Sequence, residues 1–95
     1  MRERARILRS MKHATANRIQ AMMLGAESKI TSRNRYATFD DGIFQVYVTP
    51  VEQRTRAMKE HFRVGYYMLV DGVWRRTSKA RFIEAMDAEA QHAAA

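Results

Sequence analysis

Residues 35–48 read RYATFDDGIFQVYV, and residues 66–76 read YYMLVDGVWRR. In both stretches an Asp-Gly pair separates two runs that are rich in aromatic and β-branched residues. Asp-Gly is a strong hairpin signal because both central residues of a type I′ turn need positive φ. The sequence therefore predicts two hairpins, one turning at Asp41-Gly42 and the other at Asp71-Gly72. A one-residue slip in either hairpin would exchange its two faces.

Pairing across each turn also predicts which side chains share a face of the sheet. In the first hairpin Phe39 should lie opposite Phe44, and Ala37 opposite Val46, all on the core side. The predicted core is apolar throughout and comprises Phe39, Phe44, Val46, Val48, Leu69 and Trp74 from the strands and Met58, Phe62, Phe82, Ile83 and Met86 from the helices.

A helix signal follows each hairpin. Residues 49–52, Thr-Pro-Val-Glu, have the form of a capping box with proline at the first helical position. The inward face of that helix would carry Val51, Thr55, Met58 and Phe62. After the second hairpin, Thr77 or Ser78 can cap another helix. Its inward residues would be Phe82, Ile83, Met86 and Ala90.

Residues 3–24 predict a long N-terminal helix. Its apolar stripe recurs at spacings of three and four residues and consists of Leu8, Met11, Thr15, Ile19 and Met22. Gly25 follows as a C-terminal stop. The predicted fold class is α+β: an N-terminal helix followed by a ββα-ββα body, whose four-stranded antiparallel sheet has the helices packed on it. Residues 1–34 would form the basic helix and its loop and residues 35–95 the compact body, together one folded domain.

The composition indicates the cellular compartment of the protein and the class of partner that it binds. The chain has no cysteine, which excludes disulfides and cysteine-based sites. No apolar run is long enough for a signal peptide or a membrane span, so a cytoplasmic protein without membrane contact is expected. The net charge of +7 lies in residues 1–36, which hold nine basic and two acidic side chains, whereas residues 37–95 hold eight of each. This asymmetry is typical of a protein that binds an anionic partner.

The N-terminal basic residues are the first candidate site. Arginine forms bidentate contacts with phosphate better than lysine does. The predicted nucleic-acid-binding residues are Arg2, Arg4, Arg6, Arg9, Lys12, Arg18, Arg33 and Arg35. They would contact phosphates, which position a protein without reading sequence. The alternative is a solvated helix whose apolar stripe docks on the body, in a protein whose arginine content reflects a high-GC genome.

A second candidate is the sheet face opposite the two C-terminal helices. Tyr36, Tyr47, Tyr66 and Arg75 are expected there. This mixture of aromatic and basic side chains suits the stacking of unpaired bases. The alternative is that the N-terminal helix covers this face and that the tyrosines pack beneath it.

The apolar stripe of the N-terminal helix is a third candidate, as a protein interface. Leu8, Met11, Ile19 and Met22 could contact a partner protein or a second copy of the chain in a homodimer. The chain would then be a protein-directed inhibitor or adaptor of host machinery, or a minor virion component.

The residues give little support to an enzyme. His13, His61 and His92 are scattered, and turn chemistry explains Asp40-Asp41 without a bound cation. There is no phosphate-binding glycine loop and no nucleophile motif. The sequence therefore predicts a non-enzymatic binding protein with no metal and no cofactor. In size, charge and arginine and alanine content it resembles the small accessory proteins of phages and mobile elements, which implies nucleic acid, or an acidic protein or nucleoprotein surface, as partner.

Overall fold

A computed structural model describes the backbone of residues 2–51 and 61–94 and the side chains of residues 13–51 and 62–92. In chain order its elements are α1 (Arg2–Glu27), β1 (Ala37–Asp41), β2 (Phe44–Val51), β3 (His61–Val70), β4 (Val73–Thr77) and α2 (Lys79–Ala94). The strands form one open antiparallel sheet in the order β1-β2-β3-β4. The described part of the chain is therefore α+β with a four-stranded antiparallel sheet, as predicted, and it contains two helices.

The first hairpin turns one residue later than predicted. Asp41 pairs with Phe44, so Gly42 and Ile43 form the two-residue loop. Of these two residues Gly42 has positive φ, at 62°, which is the φ pattern of a type II′ turn with glycine at its first central position. Phe39 consequently lies opposite Val46 and not opposite Phe44. The predicted faces are nevertheless correct. Moving the turn by one residue moves each pairing partner by two residues, from Phe44 to Val46 for Phe39, and a shift of two preserves the alternation of side chains.

The second hairpin has the predicted turn and pairing but the opposite orientation. Asp71 and Gly72 both have positive φ, at 51° and 77°, as a type I′ turn requires. Leu69 pairs with Trp74 as expected. In the β2–β3 ladder, however, Phe44 pairs with Met68, so even-numbered β3 residues share the core face. Leu69 and Trp74 were predicted to be core residues, but the structure places them on the other face of the sheet.

The helix predicted after the first hairpin is contradicted at both ends. Pro50 pairs with Phe62, and Val51 pairs with His61, so these residues belong to β2 and β3. The rest of that prediction, residues 52–60 with Thr55 and Met58, lies outside the described residues. Thr49 lies within β2, where it pairs with Arg63, and its hydroxyl donates to the Arg35 carbonyl at 2.9 Å. Pro50 is tolerated in a strand here because it lies beyond the last residue of β2 that pairs with β1.

Both helices pack on the same face of the sheet. The buried side chains of this core are Thr15, Ile19, Met22 and Ala26 from α1, Ala37, Phe44, Val46 and Val48 from the strands, and Phe82 and Met86 from α2. The Phe44 and Phe82 rings meet edge to face with centroids 5.1 Å apart. The Thr15 hydroxyl donates to the Asp87 carboxylate and so links the two helices. The N-terminal helix therefore shares one core with the sheet from Thr15 to Ala26.

The α2 prediction is correct except at its far end. The Ser78 hydroxyl accepts a hydrogen bond from the Arg81 amide at 3.2 Å, so Ser78 is the cap. Predicted core residues Phe39, Phe62 and Ile83 are partly buried and pack against the core. Ala90 is exposed because it lies one turn past Met86, the last buried residue of α2 among those described.

Gly25 has a packing role and does not end α1. The helix continues through it to Glu27. A Cβ atom at Gly25 would lie 2.5 Å from two ring carbons of Phe39 on β1. The glycine therefore allows α1 to approach β1 closely, which the stop-signal interpretation missed.

Candidate nucleic-acid interface

The face of the sheet opposite the helices is the main candidate site, and we call it the open face. Alternation along the strands places on it Tyr36, Thr38, Asp40, Gln45, Tyr47, Thr49, Arg63, Gly65, Tyr67, Leu69, Trp74 and Arg76. The described core residues of α1 and α2 pack against the other face, around Phe44 and Val46. The expectation that the N-terminal helix covers the tyrosines is therefore wrong for the described residues.

Aromatic side chains extend across the open face from β1 to β4. Tyr36 and Tyr47 stack with ring centroids 5.7 Å apart and an angle of 22° between their planes. Tyr36 is 56% exposed. On β3, Tyr67 leans along its own strand toward Gly65, which pairs with Tyr47. Trp74 on β4 lies diagonally across from Tyr67, within reach of a large side chain. The face thus offers several ring surfaces to a ligand.

Cationic side chains accompany these rings. Arg76 pairs across the β3–β4 ladder with Tyr67, and Arg63 lies on β3 two residues before Gly65. Both arginines are exposed. Among the described residues, Asp40 is the one carboxylate on the open face, and it accepts a hydrogen bond from the Gln45 amide at 2.7 Å. Ring surfaces beside arginines are the combination that binds bases and phosphates together.

Two of the four predicted stacking residues are on this face and two are not. Tyr36 and Tyr47 lie there, whereas Tyr66 packs on the helix side with its ring 5.0 Å from Phe82. Burial raises the pKa of the Tyr66 phenol. Arg75 pairs with Met68 and also lies on the helix side. Both errors follow from the inverted second hairpin, which brings Tyr67 and Arg76 to the open face instead.

The sequence does hold a signal for the correct orientation. In residues 61–70, HFRVGYYMLV, the even positions are apolar or aromatic, whereas Arg63 and Gly65 occupy odd positions. Arginine is rarely buried without a partner. Arg63 therefore marks the odd face as the exposed one, provided that residues 61–65 are recognised as strand.

Arg18, a predicted phosphate contact, uses its guanidinium in contacts within the protein. Its guanidinium donates from Nε to Asp41 at 2.8 Å and from Nη1 to Glu89 at 3.0 Å. The guanidinium also lies 5.1 Å from the centroid of the Phe44 ring. The hydrogen bond with Asp41 raises the pKa of Arg18 and lowers the pKa of Asp41. Arg18 thus connects α1 to β1 and α2 and has little capacity left for a phosphate.

The remaining predicted basic residues divide into two groups. Arg33 and Arg35 are exposed in the loop before β1, and Arg35 directly precedes Tyr36 on the open face. The side chains of Arg2, Arg4, Arg6, Arg9 and Lys12 lie outside the described residues. Arg33 and Arg35 are therefore the described members of the predicted set that can supplement Arg63 and Arg76.

The apolar stripe of α1 is partly accounted for by the core. Ile19 and Met22 are 8% and 1% exposed and pack within this chain, so they offer little surface to a partner. The side chains of Leu8 and Met11 lie outside the described residues. Beside the stripe, an apolar groove of about 600 Å³ runs between α1 and α2, lined in part by Met23, Leu24 and Ile83. Leu24 is 57% exposed.

Replacing Arg18 with methionine tests its structural role. We expect the free energy of unfolding to fall by about 1 kcal/mol at pH 7, because two partly exposed ion pairs and one cation–π contact are lost. The folded-state pKa of Asp41 is lowered from 3.8, so its stabilising contribution is present above that pH and is lost as the pH falls below it. The difference in urea midpoint between wild type and variant should therefore shrink at pH 3. A large loss of nucleic-acid affinity at pH 7 would contradict the assignment.

Within the described residues, His and acidic side chains form no cluster of three that could hold a metal ion. Neither described helix is long and apolar enough to cross a membrane. No family model, curated protein or solved structure matches this chain.

Proposed function

We propose that this protein is a non-enzymatic nucleic-acid-binding protein that uses the open face, with neighbouring arginines contacting phosphates. The observation that carries the proposal is the position of Tyr47, Tyr67 and Trp74 on one sheet face with Arg63 and Arg76. No described helix packs on that face. A surface that combines aromatic rings with cations suits single strands, whose bases are free to stack.

The charge distribution supports the same proposal. The net charge is +7, and the excess lies in residues 1–36. The 26-residue helix α1 is about 39 Å long at 1.5 Å per residue, so its basic first half can follow several phosphates of a bound strand. In this proposal Arg2, Arg4, Arg6, Arg9 and Lys12 supply sequence-independent contacts, and the open face holds the bases. A small accessory protein that acts stoichiometrically fits this arrangement.

Strand β4 offers matched variants for the test, because its successive residues lie on opposite faces. Trp74→Ala and Arg76→Ala alter the open face, whereas Val73→Ala and Arg75→Ala alter the helix side of the same strand. We expect Trp74→Ala to weaken binding of a labelled single-stranded oligonucleotide by roughly 5- to 150-fold, since one base stack contributes about 1–3 kcal/mol. Arg76→Ala should also weaken binding, and the two helix-side variants should remain near wild type.

Fluorescence anisotropy with single- and double-stranded DNA and RNA measures these affinities. Equal losses in Arg75→Ala and Arg76→Ala would point to general charge and remove the open face from the proposal. No binding of any of the four nucleic acids at 50 mM salt would overturn the proposed function itself.

A second candidate function is binding of a partner protein through the apolar groove between α1 and α2. The exposed side chain of Leu24 at this groove favours it, because exposed apolar clusters often mark interaction sites. A protein-directed inhibitor or adaptor would use this surface. Leu24→Asp should then abolish capture of the partner and leave nucleic-acid binding unchanged.

A further inference from the structure

A cleft at the edge of the sheet adjoins the open face. It has a volume of about 480 Å³, and its lining includes Val64, Gly65, Arg76, Thr77, Ser78 and Lys79. The cleft exists because β4 ends at Thr77, opposite Tyr66, while β3 continues back to His61. We call this the edge cleft.

An unpaired strand edge and charged side chains supply the groups of the edge cleft that can bind a ligand. No β4 residue pairs with Val64 or Gly65, so this side of β3 presents backbone groups that the described ladder does not use. Arg76 and Lys79 supply positive charge, and both are exposed. Backbone hydrogen-bonding groups together with two cations match a ligand that carries both a polar ring edge and a phosphate.

Gly65 connects the edge cleft to the aromatic side chains. A Cβ atom at this position would lie 3.2 Å from Cε2 and 3.6 Å from the hydroxyl oxygen of Tyr67, and 3.7 Å from Cβ of Tyr47. The φ of Gly65 is not in the left-handed region. Space, and not backbone conformation, therefore explains the glycine. Its missing side chain lets the Tyr67 ring lie against the β3 backbone, so that Gly65 is buried and the ring stands beside the edge cleft.

We infer that the edge cleft, together with the Tyr67 ring beside it, forms the binding site for one unpaired nucleotide of a single strand. The base stacks against the Tyr67 ring, and the phosphate contacts Arg76 and Lys79. Base-paired strands are excluded, because a paired base is stacked within its duplex and cannot stack on the Tyr67 ring. This inference deepens the proposed function and rests on it, since it names unpaired nucleotides as the substrate class.

Three variants test the inference against a single-stranded 12-mer and a duplex of the same sequence. Gly65→Val displaces the Tyr67 ring from the β3 backbone, Tyr67→Ala removes the ring, and Tyr67→Phe keeps a ring of nearly the same shape. We expect Gly65→Val and Tyr67→Ala to lose roughly 10-fold or more in affinity for the single strand, with Tyr67→Phe close to wild type. Affinity for the duplex should change by less than twofold in all three.

Lys79→Ala gives an independent readout that a purely structural role would not move. Loss of one phosphate contact on a single strand should reduce the log–log salt slope by about 0.7. If Gly65→Val has a lowered urea midpoint, Tyr67→Ala and Lys79→Ala decide the question, because neither side chain belongs to the described core. Wild-type affinity for the single strand in these two variants would overturn the edge-cleft site and leave the proposed function standing. Failure of the wild type to bind any oligonucleotide would instead overturn the proposed function.

Discussion

Replacing Phe44 with alanine is expected to lower the free energy of unfolding by about 3–5 kcal/mol, because burying a large aromatic ring contributes strongly and the cavity left behind adds to the loss. Phe44 is fully buried and lies at the centre of the core. Its ring meets Phe82 edge to face at 5.1 Å, and the Arg18 guanidinium lies 5.1 Å from its centroid. Total stabilities of small domains are about 5–15 kcal/mol, so this one change should remove a large fraction.

Urea denaturation followed by circular dichroism measures the effect of Phe44→Ala. Val73→Ala is the matched control, because Val73 lies on a strand of the same sheet and is 52% exposed. The control should change the free energy of unfolding by less than about 0.5 kcal/mol. Similar losses in the two variants would contradict the position of Phe44 at the centre of a shared core.

Raising the salt concentration from 50 to 200 mM is expected to weaken single-strand binding by about 100-fold. About five phosphate contacts, each contributing about 0.7 to the log–log slope on a single strand, give a slope near −3.5. In the part of the chain that the structure describes, the exposed cations on or near the open face and the edge cleft that can make such contacts are Arg33, Arg35, Arg63, Arg76 and Lys79. The N-terminal arginines would steepen the slope further.

A quadruple variant separates these two groups of cations. Changing Arg2, Arg4, Arg6 and Arg9 to alanine should flatten the slope by up to about 2.8 if the first half of α1 contacts phosphates. Thermal denaturation should show little change, because the described core begins at Thr15. An unchanged slope with unchanged affinity would remove the N-terminal helix from the proposed interface and assign the phosphate contacts to the loop and the sheet.

Structural features that depend on a few neighbouring residues were predicted correctly. The Asp71-Gly72 turn, the Leu69–Trp74 pairing and the Ser78 cap each depend on neighbouring residues and agree with the structure. The first hairpin was predicted with the correct faces but a turn displaced by one residue, since Gly42 can serve at either central position of a tight turn.

Predictions were wrong where one sequence pattern is compatible with two kinds of structure. Residues 49–52 satisfy a capping box, yet Pro50 and Val51 pair with β3 and extend β2. Propensity and capping signals are weak compared with the gain from extending a paired sheet. Gly25 was interpreted as a helix stop, whereas its role depends on the Phe39 ring that approaches it from β1.

The components of the candidate site follow from the residues and their local patterns: a basic N-terminal third, four tyrosines, one tryptophan and the two hairpins. Which of these side chains share a surface depends on how the strands pair and where the helices pack. The pairing of Met68 with Phe44 turns Tyr66 and Arg75 toward the helices and Tyr67 and Arg76 toward the open face. The physical reason is that a turn sets which residues of a hairpin lie on the same side, whereas the choice of the buried side depends on the neighbouring strand and on where the helices pack.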